Sequence, residues 1–308
     1  MSLHLLATYH RLAVGVLAAL ALTGATSGCA PEDGTTTGAT SSPSASGSEA
    51  SPAPSAADAC APEQLNLVTP GTLTIATDAP AYEPWFKDND PTNGQGFESA
   101  VAWGVAKKLG FKGDSVRWVT EPFNKSYAPG DKDFDFDINQ ISITPARAQV
   151  VDFSTGYYQA AQAVVVLKDS DYADIASLDD LGDARIGAQV GTTSLAAAQD
   201  VIASSEQVAV FDDTNAAKQA LLNGQIDAII VDLPTAFYIT AAEIPGSTVG
   251  GQFPATSGDT EEFGLLFQKG NPLTTCVDKA LAELDRAGRL DSYETRWLSQ
   301  TVDVPELS

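Results

Sequence analysis

An α/β fold is predicted for the part of the chain beyond about residue 63, on three observations. Residues 72–78, TLTIATD, alternate threonine with apolar and β-branched side chains as a strand does, and Phe97, Val101, Val105 and Leu109 then form a helical stripe closed by Gly110. The same order recurs in RIGAQVGTTSLAAAQDVI, where a strand meets a Gly-Thr-Thr turn and a helix. The apolar run IDAIIV ends at Asp232, at the carboxyl end of a strand, where open α/β sheets place ligand-binding groups.

The first 29 residues do not belong to this fold. Arg11 precedes an apolar run from Leu12 to Leu22, too short to span a membrane and suited to the centre of an export signal. The run leads through Thr26, Ser27 and Gly28 to Cys29, which resembles the lipobox of bacterial lipoproteins. That resemblance implies lipidation of Cys29 and anchoring to a membrane face from outside the cytoplasm. Thr26 replaces the usual aliphatic residue there, so cleavage without lipidation stays open. Residues 30–62 are rich in Ser, Thr, Ala, Gly and Pro and read as a flexible tether.

Export would place Cys60 and Cys276 in an oxidising compartment. One disulfide is the simpler outcome, and two buried free thiols the other. The charge is 17 Lys plus Arg against 40 Asp plus Glu, a net of −23, which repels polyanions and argues against nucleic acid as a partner. Both histidines, His4 and His10, lie in the leader, so the mature chain lacks the means for a Ser-His-Asp triad or a histidine-held zinc. No cofactor is expected.

Following the first strand and helix, SVRWVT reads as the next strand. Asp131, Asp133, Asp135 and Asp137 then imitate a calcium loop, but Phe136 stands where the loop needs glycine and Ser142 where it needs glutamate. A turn entering a strand is expected instead, and no metal. Downstream, NAAKQALLNG reads as a helix before IDAIIV, EEFGLLFQKGN as a strand, and Pro272–Leu298 as one or two helices.

The blocks GFESAVAWGVAKKLGF, ISITPARAQVVDFSTGYY, QVGTTS, ALLNGQIDAIIVDLPTAFY and GLLFQKGNPL occur in this order. The chain thereby resembles the polar amino-acid family of bacterial solute-binding proteins, which serve ATP-binding-cassette (ABC) importers. The resemblance implies a two-lobed, periplasmic-binding-protein-like (type II) fold with two crossover hinge strands, near 159–164 and 262–266. Lobe one would comprise 63–160 plus 264–308, and lobe two 161–263. It also implies an amino-acid ligand, a permease partner and a monomer.

On the same resemblance, Arg147 forks onto the ligand carboxylate, aided by Ser142 and, from the other lobe, by Thr193 at a helix N-terminus. Asp232 and the Gln140 carbonyl receive the ammonium group, Gln189 reaches the ligand, and Asp78 meets a polar or cationic ligand side chain. A neutral polar or basic amino acid is favoured. Each residue has a structural alternative: an ion pair with Asp152 for Arg147, a helix or turn cap for Thr193 and Asp232, and core packing for Tyr82, Trp85 and Phe123. The rival functions are a dehydratase of small carboxylic acids on the same scaffold and an extracellular sensor module.

Overall fold

The computed structural model describes residues 58–202, 204–255, 261–298 and 304–308. The leader, with Cys29, and most of the tether lie outside them. Strand β1 (Leu73–Thr77) is buried at every position, as a strand covered on both faces must be. It runs parallel to β2 (Val116–Thr120) and β3 (Phe136–Asp137). The sheet continues with β12 (Leu266–Gln268), antiparallel to β3, and ends with β4 (Val151–Phe153).

Helix α1 (Phe97–Lys108) is buried without a break from Phe97 to Ala102, wider than the stripe read from the sequence. The reason is that α7 (Leu273–Arg286) and α8 (Arg289–Trp297) pack on it as well. Phe97, Val101, Val105 and Leu109 share one core with Val277, Leu281 and Leu284. Gly96 takes φ of 93°, and a Cβ there would run into the Trp85 carbonyl, so only glycine lets the preceding loop lie this close to the helix start.

The second sheet has the order β10 (Ser247–Phe253), β6 (Gln162–Leu167), β9 (Ala228–Asp232), β7 (Ile186–Gln189), β8 (Ala209–Phe211). Its β7 is parallel to both neighbours, while β6 is antiparallel to both of its own. Helices α4 (Thr193–Asp200), α5 (Thr214–Leu222) and α6 (Leu233–Tyr238) flank it, and separate apolar cores form around it. Thr192 caps α4 by accepting from the Leu195 N–H at 3.0 Å, and Asp213 caps α5 by accepting from the Ala216 N–H at 2.8 Å.

Between the two sheets runs a two-stranded antiparallel ribbon of β5 (Tyr158–Ala160) and β11 (Glu261–Phe263). The architecture is the two-lobed type II fold with crossover strands. EEFGLLFQKGN is therefore two strands, because the chain passes from the ribbon into the first sheet at Gly264 and Leu265.

One expected boundary is corrected. The last five residues, assigned with 264–298 to lobe one, lie on the second sheet: Gln252 N–H donates to the Pro305 carbonyl and Leu307 N–H to the Gln252 carbonyl, each at 2.8 Å. Leu307 is buried in that lobe's core. Cys60 and Cys276 form a disulfide with Cα atoms 5.5 Å apart, fastening the start of the described chain to α7. The aspartates of the calcium-like run diverge: Asp135 spends its two oxygens on the N–H groups of Val68 and Thr74, at 2.8 and 2.6 Å.

Candidate functional site

The carboxyl ends of the parallel strands face one cleft. Asp78 follows β1, Asn139 and Gln140 follow β3, Gln189 ends β7 and Asp232 ends β9. With Tyr82, Phe123, Thr193, Thr214 and Thr235, these residues line a cavity between the two sheets. Seven of the ten expected ligand residues line it: Asp78, Tyr82, Phe123, Gln140, Gln189, Thr193 and Asp232. Trp85, Ser142 and Arg147 do not.

Trp85 is fully buried in the core of the first lobe, edge-on to Phe97, Tyr158 and Phe263. Its indole N–H nevertheless donates to the Thr235 hydroxyl at 2.9 Å, from the first lobe to the second. Of the two readings open for this residue, the structure places it in the core.

The short helix α2 (Phe123–Ser126) brings Phe123 and the following Tyr127 to the site. Arg147 sits in α3 (Pro145–Ala148), capped by the Thr144 hydroxyl. One guanidinium nitrogen donates to the Ser142 carbonyl at 2.8 Å and another to the Gly191 carbonyl of the opposite lobe at 2.9 Å. The plane lies over Tyr127, 4.6 Å from its ring centre, with Phe123 at 5.5 Å. The suggested partner Asp152 is paired with Lys269 instead, at 2.8 Å. Gly191 has φ of 74° and lies against Asn124 and Tyr127, leaving no room for a Cβ and letting its carbonyl reach Arg147.

Beside Arg147 is a carboxylate that the sequence pattern does not single out. Glu261, on the crossover ribbon, accepts from the Ser142 hydroxyl and, at 2.5 Å, from the Thr193 hydroxyl. Its second oxygen accepts from Gln162 Nε2 at 2.8 Å, and the same nitrogen donates to Asp232 at 2.9 Å. Burial first, and then the charge of Glu261, pushes the Asp232 carboxyl well above the usual carboxylate range.

At the other end of the cleft, Asp78 accepts from the N–H groups of Ala79 and Phe123, at 2.7 and 3.2 Å. Burial raises its pKa most, and the charges of Asp213 and Glu121 add to the rise. No Lys or Arg lines the cavity among the described residues, and the nearest cation at this end, Lys218, lies 5.7 Å from the centre of the Tyr82 ring and is paired with Glu243. Beneath the cleft, fully buried Glu98 accepts from the Tyr157 hydroxyl and from the backbone and side-chain nitrogens of Gln140. It holds Gln140 at φ of 47°, a conformation costly for a residue with a Cβ. Burial pushes the Glu98 carboxyl up to about 7.

Asn139, Thr214 and Thr235 also line the cavity without having been expected to. Asn139 was within reach of sequence reasoning, since it adjoins Gln140; Thr235 enters only because α6 starts directly from β9.

The sequence profile of the bacterial extracellular solute-binding proteins, family 3, matches residues 73–300. The L-cystine-binding protein TcyJ of Escherichia coli (strain K12) is 28% identical over 233 residues, 75% of this chain and 84% of the relative. The ABC transporter glutamine-binding protein GlnH of Bacillus subtilis (strain 168) is 28% identical over 220 residues, 68% of this chain and 76% of the relative. Among solved structures, an ancestral arginine-binding protein bound to arginine superposes with a TM-score of 0.62 at 33% identity, over 74% of this chain and 99% of that one.

Proposed function

The chain belongs to family 3 of the bacterial extracellular solute-binding proteins, and from that premise we propose that it captures a basic or neutral polar amino acid between its lobes, with a basic one favoured, for delivery to an ABC importer. It is a binding protein that holds and releases its ligand unchanged, and it works outside the cytoplasm. The observation that carries the ligand class is the lining of the cleft: the carboxyl groups of Asp78 and Asp232 stand at its two ends, and no cationic side chain lines the cavity among the described residues.

In this reading Arg147 leaves its two carbonyl acceptors to fork onto the ligand carboxylate. The hydroxyls of Ser142 and Thr193 complete that grip from the two lobes. Asp232 and the Gln140 carbonyl take the α-ammonium, and Gln189 reaches the bound ligand from the second lobe. Asp78 takes a cationic side-chain end framed by Tyr82 and Phe123. Because the grip joins both lobes, ligand binding favours closure. The lipidated Cys29 would tether a monomeric protein to the membrane through the segment 30–62.

Isothermal titration against the twenty standard amino acids tests the reading. Submicromolar binding of one or more basic or neutral polar amino acids is expected. Tight binding of glutamate or aspartate would refute the ligand class, and no binding at all would refute amino-acid capture.

A further inference from the structure

The cleft stops short of Arg147 and Ser142, the two groups on which a ligand carboxylate would depend most. The Glu261 carboxylate takes up their neighbourhood. One of its oxygens receives the hydroxyl protons of Ser142 from the first lobe and of Thr193 from the second. A hydroxyl has a single proton to donate, so neither residue can serve Glu261 and a ligand carboxylate together. Arg147, for its part, is engaged with the carbonyls of Ser142 and Gly191. The side-chain donors assigned to the ligand carboxylate thus have internal acceptors in this arrangement.

We propose that Glu261 is an affinity-setting residue, a resident carboxylate that competes with the ligand's carboxylate for the same donors and must be displaced from them before an amino acid binds. The proposal rests on the reading of Arg147, Ser142 and Thr193 as the carboxylate grip. Glu261 lies on β11, one of the crossover strands, so its bonds to Ser142 and Thr193 join ribbon, first lobe and second lobe. They hold the lobes together as a bound ligand would. Displacement leaves Glu261 with Gln162, whose Nε2 it already shares with Asp232. The fraction of empty protein in this self-occupied state raises the apparent Kd, so a state populated nine times in ten weakens binding about tenfold.

The test uses the full chain with Glu261→Ala and Glu261→Gln, titrated with L-arginine, L-lysine, L-histidine and L-glutamine. Small-angle scattering is measured without and with each amino acid. Glu261→Ala is expected to bind about tenfold more tightly than wild type, and Glu261→Gln to tighten by a smaller factor. The radius of gyration of empty Glu261→Ala should exceed that of empty wild type, and the two should converge on saturation. Weaker binding by both variants would overturn the proposal and make Glu261 a partner of the ligand's ammonium. An unchanged Kd in both would overturn it too and make Glu261 a bystander. If Glu261→Ala melts far below wild type, the isosteric Glu261→Gln decides between these outcomes. Should wild type and both variants bind none of the four, the reading as a receptor for a basic amino acid falls, and this inference with it. Should wild type bind while neither variant tightens, only this inference falls.

Discussion

Asp232→Asn should weaken ligand binding and stabilise the empty protein, two effects of opposite sign from one atom. The substitution is isosteric, and the amide oxygen of Asn still accepts from Gln162 Nε2, a bond of 2.9 Å in the native chain. What disappears is the carboxylate charge that Asp232 takes on when the ligand's ammonium arrives. A hydrogen bond to a charged partner contributes about 1.5–3 kcal/mol, so Kd should rise about tenfold to a hundredfold. In the empty protein, burial and the neighbouring Glu261 push the Asp232 carboxyl upward. The native state therefore keeps a proton that the unfolded chain has already given up, and stability falls as pH climbs from the unfolded value towards the folded one. Asn has no such proton to lose. Titration calorimetry at about pH 7.5, well above the ordinary carboxylate range, reads the first effect and thermal melting without ligand the second. A Kd within about twofold of wild type, less than about 0.5 kcal/mol, would refute the ammonium contact. A lower Tm for the empty variant would show that the carboxylate is structural.

Arg147→Lys should weaken binding at least about tenfold, because an ammonium cannot present a planar fork. It should also lower the Tm of the empty protein, since the guanidinium bridges the Ser142 and Gly191 carbonyls; an unaltered Tm would mean that this bridge is worth nothing. Glu98→Gln should reduce the pH dependence of empty-protein stability between about 4.5 and about 7, the interval over which the Glu98 carboxyl makes wild type lose stability as pH rises, contributing a slope of at most about 1.4 kcal/mol per pH unit. Equal slopes in urea titrations across that interval would contradict it. Replacing Cys60 and Cys276 together by serine opens a loop with a sequence separation of 216 and should cost up to about 5 kcal/mol. That corresponds to a fall in Tm on the order of 10–20 °C, and a change below about 2 °C would refute it.

Much of this organisation is legible in the sequence because it is local. The alternation in 72–78, the spacing of Phe97, Val101 and Val105, and the turn before Thr193 each state their structure within a dozen residues. The strand ends then follow, and with them the positions of Asp78, Gln140, Gln189 and Asp232. Glu261 is different. Its meaning comes from Ser142 and Thr193, 119 and 68 residues away, and nothing in EEFG announces them. Trp85 shares a loop with Tyr82, and composition cannot separate them; the close approach at Gly96 carries one into the core while the other stays in the cleft. The return of residues 304–308 to the second lobe is illegible for the same reason, since Leu307 is a single apolar side chain without a pattern around it.

Trp85 has a use beyond packing. It is one of four tryptophans, anchored among first-lobe aromatics, yet its indole N–H ends on a second-lobe hydroxyl. Separating the lobes would break that bond and change the polarity around the ring without moving the ring from its own core. Its fluorescence emission should therefore shift with opening and closing. The chain thus contains an optical reporter of its own conformation, and the rate of closure becomes measurable by stopped flow without attaching a dye.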